Sequence, residues 1–224
     1  MKVLIFKGSP RAQGNTNTLE KILADELRQS GAEVTEINLP DLEIRPCTAC
    51  RWCQKDWSTA ACVQQDDLNP LLPQILASDL LILATPIYSW YCTPPMKALL
   101  DRLVYALNMY YGDKRGLSLW KGKNLALLLT CGYRPEKGAD LFEEGMKRYC
   151  RHSQLHYCGA HCERHLGYNT VFLDQEKTER TRTFAQELLR IGQSESKKQC
   201  QIRKALPEME LHFWQCFSYE AKAG

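Results

Sequence analysis

A run of four apolar side chains, Val3-Leu4-Ile5-Phe6, stops at Gly8 and gives way to a polar loop. So short and unbroken a run predicts a strand buried on both faces, as in a parallel sheet. From Thr18 onward, Leu19, Ile22, Leu23 and Leu27 recur at helical spacing until Gly31, which predicts a helix closed by a glycine. Ala32 to Leu39, with Val34, Ile37 and Leu39 ahead of Pro40, predicts a second strand. Strand, helix and strand in this order join parallel strands by a right-handed crossover, and few topologies satisfy that rule.

The alternation continues along the chain. Asn69-Pro70 predicts the cap and first turn of a helix reaching Ala77. Strands are predicted over 79–84 and 123–131, helices over 94–107, 141–149 and 176–191, and a fifth strand over 152–158. The expected fold is α/β: a flavodoxin-like, doubly wound, five-stranded parallel sheet between two helical layers. Residues 1–193 form this domain, with a Cys-rich loop, 40–67, inserted. Residues 194–224, polar and basic and then aromatic, form a C-terminal extension expected to pack on the body or on a partner subunit.

With 224 residues, 44% of them hydrophobic, the chain can bury one substantial core. A net charge of +3 gives no excess to recruit nucleic acid or an anionic membrane. The apolar run at the start is too brief for a signal peptide or a membrane span, so a cytoplasmic location is expected.

In an open parallel sheet, ligands bind beyond the carboxyl ends of the strands where strand order reverses. Three loops meet that requirement. The first is crowded with Ser9, Arg11, Asn15, Thr16, Asn17 and Thr18. It lacks the GxxxxGK[ST] and GxGxxG patterns and suits a single terminal phosphate at a helix N-terminus. The same residues are also ordinary caps and turn formers. The second loop, Pro86-Ile87-Tyr88-Ser89-Trp90, is unusually aromatic. It offers a planar flavin ring apolar surfaces and backbone polar groups, or else a subunit interface its aromatic cluster. The third, Thr130-Cys131-Gly132, carries a glycine that admits close backbone approach.

Gly8-Ser9-Pro10-Arg11, Gly14-Asn15-Thr16, Pro86-Ile87-Tyr88, and Pro94-Pro95-Met96-Lys97 with Asp101-Arg102-Leu103 occur in that order. Together they resemble the NAD(P)H-dependent FMN reductase family, including its iron-sulfur flavoprotein branch, over residues 1 to about 190. The resemblance implies that Ser9, Arg11, Asn15, Thr16 and Thr18 hold the phosphate of FMN, Arg11 supplying the full positive charge. It further implies that Pro86 to Trp90 and Thr130 to Gly132 surround the ring. Lys97, Asp101 and Arg102 are expected to be structural.

Cys47, Cys50, Cys53 and Cys62 form C-x2-C-x2-C-x8-C. Thiolates this close can converge on a [4Fe-4S] cluster or a structural zinc, or remain thiols without metal. Likeness to the iron-sulfur flavoproteins implies the cluster, exchanging electrons with the flavin. His156, His161 and His165 with Cys158 and Cys162 form a second Cys/His-rich stretch whose spacings make no tetrahedral set. The expected activity is hydride transfer from NAD(P)H to flavin, with onward delivery to a quinone, free flavin, nitro compound or protein acceptor. No catalytic side chain stands out, and a homodimer or homotetramer is expected. The alternative is an electron carrier between proteins, as flavodoxins are.

Overall fold

The computed structural model describes residues 1–167 and 172–205. Its five strands, β1 (Lys2–Lys7), β2 (Glu33–Asn38), β3 (Leu80–Pro86), β4 (Asn124–Cys131) and β5 (His156–Arg164), form one sheet in the order β2-β1-β3-β4-β5. Every adjacent pair is parallel. This is the flavodoxin-like order, and its reversal lies between β1 and β3. The helices are α1 (Asn15–Gln29), α2 (Leu68–Ala77), α3 (Pro94–Leu107), α4 (Pro135–Gly138), α5 (Asp140–Ser153) and α6 (Gln175–Ala205). Among the described residues, no helix is long and apolar enough to cross a membrane.

Because successive strand residues face opposite sides, the sheet makes two cores. Val3, Ile5, Ile82, Ala84, Ala126 and Leu128 pack under α1 and α6. Leu4, Phe6, Leu81, Leu83, Leu127 and Leu129 pack under α2, α3 and α5. Burial on both faces explains why the central strands read as unbroken apolar runs rather than alternating ones.

Three expectations need correction. The fifth strand begins at His156 rather than 152, because α5 runs to Ser153 and ends at Gln154, which adopts a left-handed φ of 57°. Asn69 is not the cap of α2, whose N-cap is Asp67. The Asn69 side chain instead clasps the cysteine loop, accepting from the Cys62 N–H at 2.9 Å and donating to the Cys62 and Gln64 carbonyls. The closing helix runs past 191 to Ala205, so the division at 193 falls inside α6. Residues 206–224 of the expected extension lie outside the described residues.

A charge cluster around the buried Glu20 sits between α1 and strands β1 and β2. Lys7 Nζ lies 3.1 Å from Glu36 and 3.9 Å from Glu20, and Arg28 pairs with Glu36 at 2.5 Å. Burial first, and the Glu36 charge second, push the Glu20 carboxyl up to about 7. A carboxyl that holds its proton more tightly in the folded chain favours folding below the unfolded value and loses that advantage as pH rises through the folded one. Stability should therefore fall between about pH 4.5 and 7. Glu20→Gln should flatten this slope and add about 1–3 kcal/mol above neutrality. Urea midpoints at pH 5 and pH 8 check it, and equal Glu20→Gln effects at both would reject it.

Candidate functional site

The carboxyl ends of β1, β3 and β4 open onto a cavity of about 160 Å³. Ser9, Arg11, Gly14, Asn15 and Thr16 line one side, Pro86, Ile87 and Tyr88 a second, and Thr130, Cys131, Gly132 and His165 a third. All three predicted loops thus meet in one place.

The first loop is held by its own hydrogen bonds. Ser9 Oγ accepts from the Arg11 N–H and lies 3.3 Å from the Arg11 carbonyl, which also accepts from the Gly14 N–H at 3.0 Å. Gly14 caps α1 in extended conformation. A Cβ there would stand 3.0 Å from Arg11 Cβ and 3.1 Å from Ser9 Oγ, so any other residue would push the loop outward by a few tenths of an ångström. The first-turn N–H groups of α1 have no intrahelical acceptor and carry the positive end of the helix dipole. No acidic residue occupies that turn. The result is a cradle for an anion.

Thr16 joins this cradle to the third loop, its Oγ1 lying 2.7 Å from Thr130 Oγ1 in a buried contact. Asn17 and Thr18 do not line the cavity. Asn17 Nδ2 donates to the Arg11 and Ala12 carbonyls, and Thr18 Oγ1 to the Gly14 carbonyl. Both brace the loop from behind.

The second loop divides by side chain. Ile87 N–H donates to the Thr130 carbonyl at 2.8 Å, tying β3 to β4 at the cavity floor. Tyr88 and Tyr91 exchange backbone hydrogen bonds around a two-residue turn in which Ser89 and Trp90 both take left-handed φ, 49° and 63°. That geometry usually recruits Asn or Gly, so both residues are strained. The turn aims Tyr88 at the cavity and Trp90 away from it. Trp90 Nε1 donates to the Lys137 carbonyl, and its ring stacks on Tyr133 at 5.8 Å. Ser89 and Trp90 therefore build the loop rather than line the cavity. Gly14, named in the sequence only as part of a motif, and His165, named only in the second Cys/His-rich stretch, also line this cavity, and His165 follows directly on the true end of β5.

Cys47, Cys50, Cys53 and Cys62 line one small cavity with Arg51, Arg102 and Tyr105. Ala49 and Arg51 take left-handed φ between the first three cysteines, folding the segment tightly. The Ala49 N–H donates to Cys47 Sγ at 3.4 Å, and burial raises the Cys53 thiol. Four thiols lining one cavity are the donor chemistry of a tetrathiolate site. As placed, no three His, Cys, Asp or Glu side chains among the described residues are arranged to hold a metal ion. Arg102 anchors the loop. It is buried, donates twice to Asp66 at 2.7 and 3.1 Å and once to the Arg45 carbonyl, a structural part as expected.

Residues 1–142 match the NADPH-dependent FMN reductase family. Relatives include an iron-sulfur flavoprotein of Archaeoglobus fulgidus, 31% identical over 149 residues, 66% of this chain and 64% of the relative. Another is an iron-sulfur flavoprotein of Methanocaldococcus jannaschii, 33% identical over 102 residues, 46% of this chain and 51% of the relative. The matches thus span between half and two thirds of these relatives' own lengths. Among solved structures, the NAD(P)H:quinone oxidoreductase from Methanothermobacter marburgensis superposes with a TM-score of 0.61 at 17% identity, covering 86% of this chain and 97% of that one. At that identity the likeness is one of fold.

Proposed function

The chain belongs to the NADPH-dependent FMN reductase family, and from that premise we propose that it binds FMN in the cavity at the carboxyl ends of β1, β3 and β4 and acts as an NAD(P)H-dependent oxidoreductase. The observation that carries this reading is the meeting of an anion cradle with two loops rich in backbone polar groups and flat apolar surface. Ser9, Arg11, Asn15 and Thr16 would hold the phosphate, with Asn17 and Thr18 fixing the loop. Pro86, Ile87, Tyr88, Thr130, Cys131 and Gly132 would border the ring. When bound, FMN supplies hydride acceptance and onward electron delivery. The residues position it and exclude water, and none need exchange a proton. Acceptors fitting this chemistry are a quinone, free flavin, nitro compound or electron-transfer protein. Exposed Tyr88, Trp90 and Tyr133 beside the cavity favour a homodimer or homotetramer.

The four cysteines lining one cavity favour a second, compatible reading, in which Cys47, Cys50, Cys53 and Cys62 hold a [4Fe-4S] cluster. Such a cluster would supply one-electron transfer. Anaerobic mixing of flavin-loaded protein with NADPH or NADH tests the first reading: the visible flavin absorption should bleach within seconds. A flavin that stays oxidised with both donors contradicts the reductase reading and favours a carrier. Iron and acid-labile sulfide in the same anaerobic sample decide the cluster, and their absence removes it.

A further inference from the structure

Cys131 and Cys162 are not part of the cysteine loop, yet their sulfurs lie 3.6 Å apart. Cys131 is the last residue of β4 and lines the flavin cavity, while Cys162 lies on the neighbouring β5. The register pairs Leu129 with Cys162 and Cys131 with Arg164, so the two thiols meet on a diagonal of one sheet face. Cys131 Sγ also lies 3.2 Å from the Tyr133 carbonyl. We propose that Cys131 and Cys162 form a reversible intramolecular disulfide under peroxide, and that occupation of the neighbouring cavity shields them from it.

The environment sorts the two thiols into roles. The hydrogen bond between the two sulfurs lowers the Cys131 thiol, with help from the Arg164 charge and against burial. The same bond, with burial, drives Cys162 up. Cys131, unlike Cys162, also lines the cavity through which peroxide would arrive, so its thiolate is the nucleophile. It attacks one oxygen of hydrogen peroxide, the O–O bond breaks, and the released hydroxide takes a proton to leave as water. The resulting sulfenic acid is attacked by Cys162 sulfur, which loses its proton as the S–O bond breaks and a second water departs. Two thiols and one peroxide thus give one disulfide and two waters. A thiol reductant reverses the bond by exchange.

A bonded pair sits about 2.05 Å apart, so the sulfurs must close by about 1.5 Å. That closure requires the two side chains to turn toward each other about their Cα–Cβ bonds, or the neighbouring strand ends to shift. Because Thr130, Cys131 and Gly132 form the cavity's third side, the disulfide reshapes the wall on which the ring would rest.

The bond itself is tested on reduced, flavin-free full-length protein, and only the shielding rests on the flavin reading above. Peroxide treatment, alkylation of remaining thiols, tryptic digestion and mass spectrometry should reveal Cys131 joined to Cys162. Cys158→Ser should keep the cross-link. In Cys162→Ser, Cys131 should instead carry a sulfenic acid trapped by a cyclic 1,3-dione. Saturating FMN should slow cross-linking at least tenfold. Recovery of both cysteines fully alkylated, after peroxide has oxidised exposed Cys50, overturns the proposal. Cross-linking at an unchanged rate with FMN bound, as read by flavin fluorescence, overturns the shielding. Absence of FMN binding defeats the cavity reading while leaving the disulfide standing.

Discussion

Apoprotein carrying Arg11→Ala together with Thr16→Ala should bind FMN at least a hundredfold more weakly than the parent. Arg11 and Asn15 to Thr16 line the cradle at the N-terminus of α1, and Thr16 also ties it to Thr130. A hydrogen bond to a charged group contributes about 1.5–3 kcal/mol, so losing two such groups amounts to about 3 kcal/mol or more. At about 1.4 kcal/mol per factor of ten, that is roughly a hundredfold or above. Quenching of flavin fluorescence reads the affinity. Riboflavin, which lacks the phosphate, should lose far less, because the ring contacts from Tyr88 and Thr130 to Gly132 remain. Equal losses for both ligands would place the phosphate elsewhere.

Arg102→Ala should cost about 3–5 kcal/mol, the usual penalty for leaving one member of a buried ion pair alone. Arg102 and Asp66 side chains are 1% and 0% exposed and share two hydrogen bonds. Burial alone would push the Asp66 carboxyl up, but the bonds from Arg102 and from the Arg45 and Leu68 N–H groups hold it below its ordinary value. The guanidinium also grips the Arg45 carbonyl, so its removal should loosen the cysteine loop from α3. Urea denaturation gives the cost, and limited proteolysis within 42–66 gives the loosening. Replacing both partners with apolar residues, Arg102→Met with Asp66→Leu, should recover much of the loss. A single variant costing under about 1 kcal/mol would mean the pair behaves like a surface bridge.

The central fold was legible because β1, β3 and β4 are buried on both faces and therefore read as continuous apolar runs. The outer strand β5 was misplaced for the opposite reason. His156 to Arg164 mixes histidine, cysteine and tyrosine, and the helix before it ends on Gln154, a left-handed residue without the usual glycine signal. That error left His165 in a Cys/His-rich stretch rather than at the cavity, where the rule placing ligands at strand carboxyl ends puts it once β5 is correctly bounded. Asn69 has the composition of a helix cap, yet only the folded loop reveals that it serves the Cys62 backbone. The contact between Thr16 and Thr130 joins residues 114 apart, and no local pattern announces it. Of the second loop, the aromatic content pointed to the site, but only the left-handed turn at Ser89 and Trp90 separates Tyr88 from Trp90.

The claim on which the account depends is that the cavity grips a flavin through its phosphate. Titrating the flavin-free protein with FMN and with riboflavin at one ionic strength measures this directly. FMN should bind at least a hundredfold tighter, and the difference should shrink as salt rises, because an exposed arginine is screened. Indistinguishable affinities for the two flavins would contradict it.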